Sequence, residues 1–532
     1  MLLQTTTGKR NESSMHRAWL RSQPRLSSLL AVSLLALAVA PAPAGAGGYA
    51  IVTSSEIRSL SQNLVPFAAS KTARGYTTHV FDEADWNGAG LVGDAAAEAL
   101  RAFLQSAHAL FDFDYVLLVG DPRTATGPVP MKTLHPRTFG YLSTTPNGWS
   151  ADCDSFVMTQ DPVPSDYYYG DVDGNWDLDG DGLYGEFGDY DAPIGPTGDF
   201  GPGGVDRDHD FAVGRIPVYT SNPTELAEGV IDLDHILAKT MGYQGAPFGS
   251  IDWRFSALIA AEGANRIFFG EALRNDVLLP ANFSSAVRVY DADVCLVLNP
   301  PSGCVPISGT PEATTCSVSN VATQWDSTSP GAVTWLTHGG GVGAAAVMNT
   351  TQATQLDDGH PVITFQASCF NSLPSQTNNL SYALLKNGAV GTIGATAISH
   401  GPGGPNPPIT HPSSEGGNAG MAYSFMQFLG QQGMTVGDSL AEVKRETNLY
   451  GRCWYWHNMA GFNLYGDPEV SLLDSAPEAP AAVPVLSPAA HTLLIGALAA
   501  LGSLVALRRT GSRRGLLLKR AGLRRTTDQY DS

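Results

Sequence analysis

The sequence predicts an α/β protein built on a largely parallel sheet. Short apolar runs rich in β-branched and aromatic residues, such as Tyr115-Val116-Leu117-Leu118-Val119, end in Gly, Asp or Pro. Helix-length stretches separate these runs, and strands alternating with helices pack as a parallel, doubly wound sheet. The 532 residues leave room for about two to four domains or subdomains.

Residues 1–46 read as an export signal to be left out of the fold. Arg17, Arg21 and Arg25 precede the apolar run Leu29 to Ala40, and the small residues Pro41 to Ala46 form a cleavage region. Tyr49 to Thr53 is the first expected strand, and Ile57 to Ala73 the first helix. Thr77 to Phe81 is a strand, Ala95 to Phe111 a helix, and Tyr115 to Val119 a buried strand that Gly120-Asp121-Pro122 stops. Phe211 to Val218 and the helix Thr224 to Lys239 complete a first α/β subdomain, residues 47–248.

Residues 161–210 break the alternation. Asp171, Asp173, Asp177, Asp179, Asp181 and Glu186 recur with glycines at the turns. Oxygen ligands converging in that way suit Ca²⁺. The run Asp177-x-Asp179-x-Asp181-Gly182 fits the first half of an EF-hand loop, but its twelfth position is Gly188 and no helices flank it. The expectation is a structural Ca²⁺ loop of another type, ordering a segment too long for a bare loop.

A second subdomain, residues 249–474, starts with the strand Ser256 to Ala261 and the helix Asn265 to Leu278, and residues 299–330 read as loop. The chain is organised around Gly331 to Ser372. Ala332 to Thr337 is a strand followed by His338-Gly339-Gly340-Gly341, and Val362 to Ser368 is a strand followed by Cys369-Phe370-Asn371-Ser372. Parallel neighbours would bring His338 and Cys369 to one sheet edge, where open α/β sheets bind ligands. A thiol and an imidazole there make a nucleophile and its general base, and the glycines let backbone amides approach a substrate. Tyr382 to Lys386 is helical, Ala389 to Thr396 a strand, and Met421 to Leu429 and Val436 to Asn448 are helices; Phe462 to Leu464 and Val470 to Leu472 end the fold.

The order apolar strand, His-Gly, spacer, apolar strand, Ala-x-Cys resembles the caspase-like cysteine peptidases, and more closely the gingipain family. Ser165-Asp166-Tyr167-Tyr168-Tyr169, Gly214-Arg215-Ile216-Pro217 and Asn463-Leu464-Tyr465-Gly466-Asp467-Pro468-Glu469-Val470 are similar to that family's sequences. The resemblance spans residues 49 to 473 and implies a caspase-like fold of parallel sheets with flanking helices. It implies peptide hydrolysis through a Cys369 thioester with His338 as general acid and base. Glu262 would orient His338 or stabilise its imidazolium, as the third member of a triad does. The N–H groups of Gly339 and Cys369 would form the oxyanion hole. The loop after the Ala389 strand would shape the specificity pocket, with His400 a site residue there and a runner-up general base. Glu271, Asp276 and Glu415 are the acids available to a pocket for basic side chains.

Residues 475–490 are a Pro/Ala linker. Residues 491–507 are apolar enough for a transmembrane helix, and the Arg-rich residues 508–532 read as a cytoplasmic tail. Together they look like a bacterial C-terminal sorting signal or a permanent anchor, and either arrangement keeps the body outside the cytoplasmic membrane, in the cell envelope or released after processing. The formal charge of −19 includes five basic residues before the N-terminal apolar run and eight after the C-terminal one. The body is therefore strongly acidic, which argues against a nucleic-acid partner. With Cys369 reserved as nucleophile, Cys295 and Cys304 are the expected disulfide, closing the loop 296–303. A Ca²⁺-stabilised surface or binding protein without catalysis, and a transpeptidase using the same acyl-enzyme, are the competing readings.

Overall fold

The computed structural model describes residues 47–136, 162–187, 198–200, 202–291, 294–295, 305–307, 309–401, 417–447 and 453–475. In chain order the strands are β1 (Gly48–Val52), β2 (Thr77–Phe81), β3 (Phe113–Gly120), the short pair β4 (Lys132–Leu134) and β5 (Val163–Ser165), β6 (Ala212–Pro217), β7 (Ser256–Ala261) and β8 (Ser285–Tyr290). There follow the pair β9 (Val294–Cys295) and β10 (Val305–Pro306), β11 (Ala332–Leu336), the small strands β12 (Gly339–Gly340), β13 (Gly343–Ala344) and β14 (Met348–Asn349), and then β15 (Val362–Ala367), β16 (Ala389–Ala395) and β17 (Phe462–Gly466).

Ten of these strands make one sheet in the order β2-β1-β3-β6-β17-β16-β15-β11-β7-β8. Every neighbouring pair is parallel except β16 and β17. The fold is thus mixed α/β with a large, mostly parallel sheet and flanking helices. Because β17 runs parallel to β6 and antiparallel to β16, the strands of the two flanks point in opposite directions. The carboxyl ends of β7, β11, β15 and β16 therefore share one edge, and those of β1, β3 and β6 lie on the other.

Strand alternation divides the core between the two faces. Tyr49, Ile51, Leu117 and Val119 pack against the helices Leu64–Ala73 and Pro223–Gln244. Ala50, Val52, Val116 and Leu118 face the helix Gly93–Phe111. In the other flank, Ile259, Ile363, Phe365 and Ile393 belong with the helices Ala264–Ala272, Asn418–Met426 and Val436–Glu446. Leu258, Val333, Trp335 and Val362 belong with Val318–Thr328 and Leu380–Lys386.

Several elements depart from expectation for local reasons. The helix expected over 57–73 is two helices, Ser55–Leu60 and Leu64–Ala73. The break is held by Asp234, whose carboxylate accepts from Gln62 N at 2.9 Å and Asn63 N at 3.0 Å. The segment expected as loop contains Val318–Thr328, a helix that buries only Val321 and Trp325 and so carries little apolar periodicity. Strand β8 and the helix Cys453–Gly461 have no sequence counterpart above. Val470 to Leu472, which ends the fold, lies in a turn, with Ser471 N donating to Asp474 Oδ2.

The Gly466-Asp467-Pro468-Glu469 stretch has a structural role. Fully buried Lys71 pairs with Asp467 and Glu469, Tyr49 donates to Asp467 at 2.7 Å, and Arg74 pairs with Glu469 and Asp474. This cluster fastens the end of the fold to the opposite flank of the sheet. Among the described residues no helix is long and apolar enough to cross a membrane. The expected signal (1–46), most of the linker, the 491–507 span and the basic tail lie outside the described residues, as does the expected Cys295–Cys304 pairing, for which Cys304 and the Cys295 side chain are not described.

Candidate active site

β7 pairs with both β8 and β11. The chain leaves β7 outward to β8 and returns past it to β11, so the strand order reverses between β7 and β11. Such a switch point opens a crevice beyond the carboxyl ends. Glu262 and Gly263 leave β7 there, Thr337 and His338 leave β11, and Ser368 and Cys369 leave the adjacent β15. The expected meeting of the His and Cys loops is present in this geometry.

Contact between the two loops is close. A Cβ added to Gly339 would lie 2.5 Å from the Cys369 carbonyl oxygen, 2.8 Å from Ser368 Cβ and 3.0 Å from Cys369 N. Only glycine lets the backbone after His338 lie against the backbone of Cys369. The chain then turns back as a hairpin, β12 pairing with β13. His338 O accepts from Ala345 N at 2.8 Å. Antiparallel alternation makes Gly339 and Ala344 the non-bonded pair of this hairpin, which turns the Gly339 N–H away from its partner strand.

Asn371, which sequence reasoning did not single out, clamps the two loops. Its side chain is fully buried. Nδ2 donates to Gly340 O at 2.8 Å and Gly343 O at 3.2 Å, while Oδ1 accepts from the Ser368 hydroxyl. Ser368 Oγ in turn accepts from Trp335 Nε1 at 3.0 Å. The only sequence signal is a polar residue two positions after the thiol. Between them Phe370 adopts a left-handed φ of 60°, an uncommon conformation for a bulky residue. It makes the sharp turn that leaves Cys369 at the end of β15.

Cys369 is half-buried and not in a disulfide. Its Sγ accepts from Ser399 N at 3.4 Å and lies 3.6 Å from Ser399 O. Cys316, the other free thiol among the described residues, is buried, and burial pushes its pKa up to about 12, as expected of an inert structural cysteine. His338 is exposed, and its Nε2 sits 3.0 Å from Arg266 Nη2. Glu262 reaches the loop one residue earlier: its Oε2 accepts from the Thr337 hydroxyl at 2.6 Å, and Ala345 O lies 3.0 Å from the same Oγ1 as an alternative acceptor. Glu262 is thus bonded to the residue preceding His338 rather than to the imidazole.

His400 follows Ser399, so it borders the thiol. Its main chain is bonded to Asn458 and Asn418, its ring stacks edge-on with His457, and burial lowers its pKa to about 4. Of the acids considered for a basic pocket, Glu271 is buried and pairs with Arg288 at 3.2 Å. The Asp276 carbonyl accepts from Gln431 at 2.8 Å, and Glu415 lies outside the described residues.

The acidic loop folds as two separate groups. Asp171, Asp173 and Asp206 bring carboxylate oxygens within 4.8 Å of one another, and so do Asp177, Asp179 and Asp181. Asp206 was absent from the expected set, and Glu186 belongs to neither trio. Asp171 is fully buried with Oδ2 lacking a hydrogen-bond partner, and burial raises its pKa to about 7. A buried acceptor without a donor beside two carboxylates is suited to a hard cation. The loop is also held without an ion. Trp176 is buried against Tyr167, Tyr168 and Trp456, and Arg101 donates to the carbonyls of Tyr168, Asp171 and Gly174.

The family model described as peptidase family C25 matches residues 42–473. No curated protein sequence matches the chain. The Arg-specific cysteine proteinase gingipain R has a similar solved structure, with 15% identity over 81% of this chain and 79% of that one and a TM-score of 0.52. The complex of Porphyromonas gingivalis RgpB pro- and mature domains gives 15% identity, 81% of each chain and a TM-score of 0.51. At such identity the likeness is one of fold.

Proposed function

Because the chain belongs to peptidase family C25, and is therefore a cysteine-type peptidase acting on peptide or protein substrates, we propose that Cys369 is its nucleophile and His338 its general acid and base. The observation that carries this reading is the contact of Gly339 with the Cys369 backbone, which sets the imidazole loop against a partly exposed thiol. In the reaction, His338 takes the thiol proton as Sγ attacks the scissile carbonyl. The imidazolium then gives that proton to the departing amine, leaving a thioester. Water, activated by the same imidazole, hydrolyses the thioester and restores the thiol. The N–H of Gly339, turned out of its hairpin, and the N–H of Cys369 are the oxyanion donors in this scheme. Glu262 acts through Thr337, holding the loop that carries His338.

A structural Ca²⁺ site fits the same protein. The Asp171, Asp173 and Asp206 trio is the stronger group because Asp171 carries a buried oxygen without a donor. The Asp177, Asp179 and Asp181 trio is more exposed. Bound Ca²⁺ would neutralise the trio and anchor the acidic loop. The charge order of residues 1–46 and the apolar and Arg-rich C-terminal segments support export and retention at the cell envelope.

The test is cleavage of a mixed peptide library by the full chain and by its Cys369→Ala and His338→Ala variants, with calcium and with a chelator. Cleavage by the parent and loss in both variants is the expected result. Cleavage that survives Cys369→Ala overturns the assignment. Ligated rather than hydrolysed products, in the presence of an amine acceptor, would identify the chain as a transpeptidase using the same acyl-enzyme.

A further inference from the structure

We propose that Arg266 forms a carboxylate-binding subsite of the catalytic cleft, so that the peptide cleaved by this chain carries an acidic side chain beside the scissile bond. The inference rests on the assignment of Cys369 and His338 above. Arg266 lies in the first turn of the helix Ala264–Ala272, which starts at the carboxyl end of β7. Its Nη1 donates to Glu262 O at 3.1 Å, and its Nη2 is 3.0 Å from His338 Nε2. A guanidinium carries donors only, so Nε2 is the acceptor of that bond. In the tautomer with Nδ1 protonated, the one lone pair of the imidazole is occupied by Arg266.

Among the described residues no carboxylate lies within ion-pairing distance of Arg266. The acids around it are turned to other donors. Glu262 Oε2 takes the Thr337 hydroxyl, and Asp291 Oδ2 takes Gly263 N at 3.1 Å. Arg266 is partly buried and within electrostatic reach of Glu262, Cys369 and Asp291, without a hydrogen bond to either carboxylate. A partly desolvated guanidinium beside His338, with no carboxylate ion-paired to it among the described residues, is a fork open to an oxyanion ligand. A basic side chain in that position would bring like charges together, whereas an Asp or Glu side chain completes the pair.

The same contact gives binding a second consequence. A substrate carboxylate that takes Nη2 removes the donor from His338. The imidazole lone pair is then free for the proton step. Substrate charge and base availability are coupled through one side chain, and an acidic peptide is favoured both in binding and in the proton step.

The experiment uses full-chain protein and a peptide series with Asp, Glu, Asn, Ala, Lys or Arg at each position flanking the bond. Enrichment of Asp or Glu at one flanking position is expected. The ratio of kcat/KM for the Asp peptide to that for its Asn counterpart should fall about tenfold or more in Arg266→Ala, and should shift toward Lys or Arg peptides in Arg266→Glu. A parallel binding measurement on Cys369→Ala, by calorimetry with the uncleaved Asp and Asn peptides, should show the same preference, and Cys369→Ala/Arg266→Ala should lose it. Cys369-dependent cleavage without acidic enrichment, or an Asp-to-Asn ratio that Arg266→Ala leaves intact, overturns the subsite and leaves the peptidase assignment standing. Loss of Cys369 dependence overturns both.

Discussion

Asn371→Ala removes the clamp between the two loops. The substitution takes one donor group from two hairpin carbonyls, Gly340 O and Gly343 O, and one acceptor from the Ser368 hydroxyl. The hairpin glycines are half-buried, so water recovers part of what the carbonyls lose, about 1 kcal/mol remaining for each. The Ser368 hydroxyl is fully buried and loses about 1–2 kcal/mol. The expected destabilisation is therefore about 3–4 kcal/mol, a large part of ordinary domain stability. The hairpin would then be held to Cys369 chiefly by the packing of Gly339, and a displacement of about 1 Å costs roughly 100-fold in rate. Denaturant unfolding of the full chain measures the first quantity, and kcat on a cleaved library peptide the second. Asn371→Asp separates hydrogen bonding from packing, because a carboxylate keeps the shape and the Ser368 contact but aims an acceptor at two carbonyls. It should be at least as damaging as Asn371→Ala. An Asn371→Ala protein within 0.5 kcal/mol of the parent and fully active, or an Asn371→Asp protein better than Asn371→Ala, would refute the clamp.

Gly339→Ala should displace the His338 loop, since its Cβ would meet Cys369 O at 2.5 Å; kcat should fall by an order of magnitude or more while Tm drops by only a few degrees. Lys71→Met leaves Asp467 buried without its cation and Glu469 paired with Arg74 alone, and should cost about 3–5 kcal/mol in denaturant unfolding. If the Asp171 trio binds Ca²⁺, adding the ion to chelated protein should raise Tm, and Asp206→Asn should reduce that rise; an unchanged rise would remove Asp206 from the site. Lys444 is buried over the Tyr167 ring, and burial lowers its pKa to about 7. Its unfolded form holds the proton more tightly, so it should add stability as pH climbs from about 7 toward its unfolded value near 10.5. The stability of the parent relative to Lys444→Met should therefore rise over that window, as pH-dependent urea midpoints would reveal.

What the sequence discloses and what it hides divide along a physical line. Strands such as β7, β11 and β15 are read correctly because each carries its own apolar signature, and right-handed α/β winding brings their carboxyl ends together. Local patterns thus suffice to predict the approach of His338 and Cys369. The helix Val318–Thr328 escapes because it buries two side chains and presents the rest to water. The split at Ser61 to Asn63 escapes because its cause, Asp234, lies on another helix. The structural role of the Asp467 and Glu469 carboxylates shows only once Lys71, from the far flank of the sheet, is seen between them.

The active site divides in the same way. The proposed nucleophile and base are legible because strand ends announce them, whereas the residues that set their geometry are not. Asn371 acts across a loop contact, Glu262 accepts from Thr337, and Arg266 lies 3.0 Å from His338 Nε2. Sequence pattern identifies which groups can react. Contacts between segments distant in the chain set the geometry of those groups, and in the proposed scheme the availability of the base turns on Arg266, which has no carboxylate ion-paired to it among the described residues.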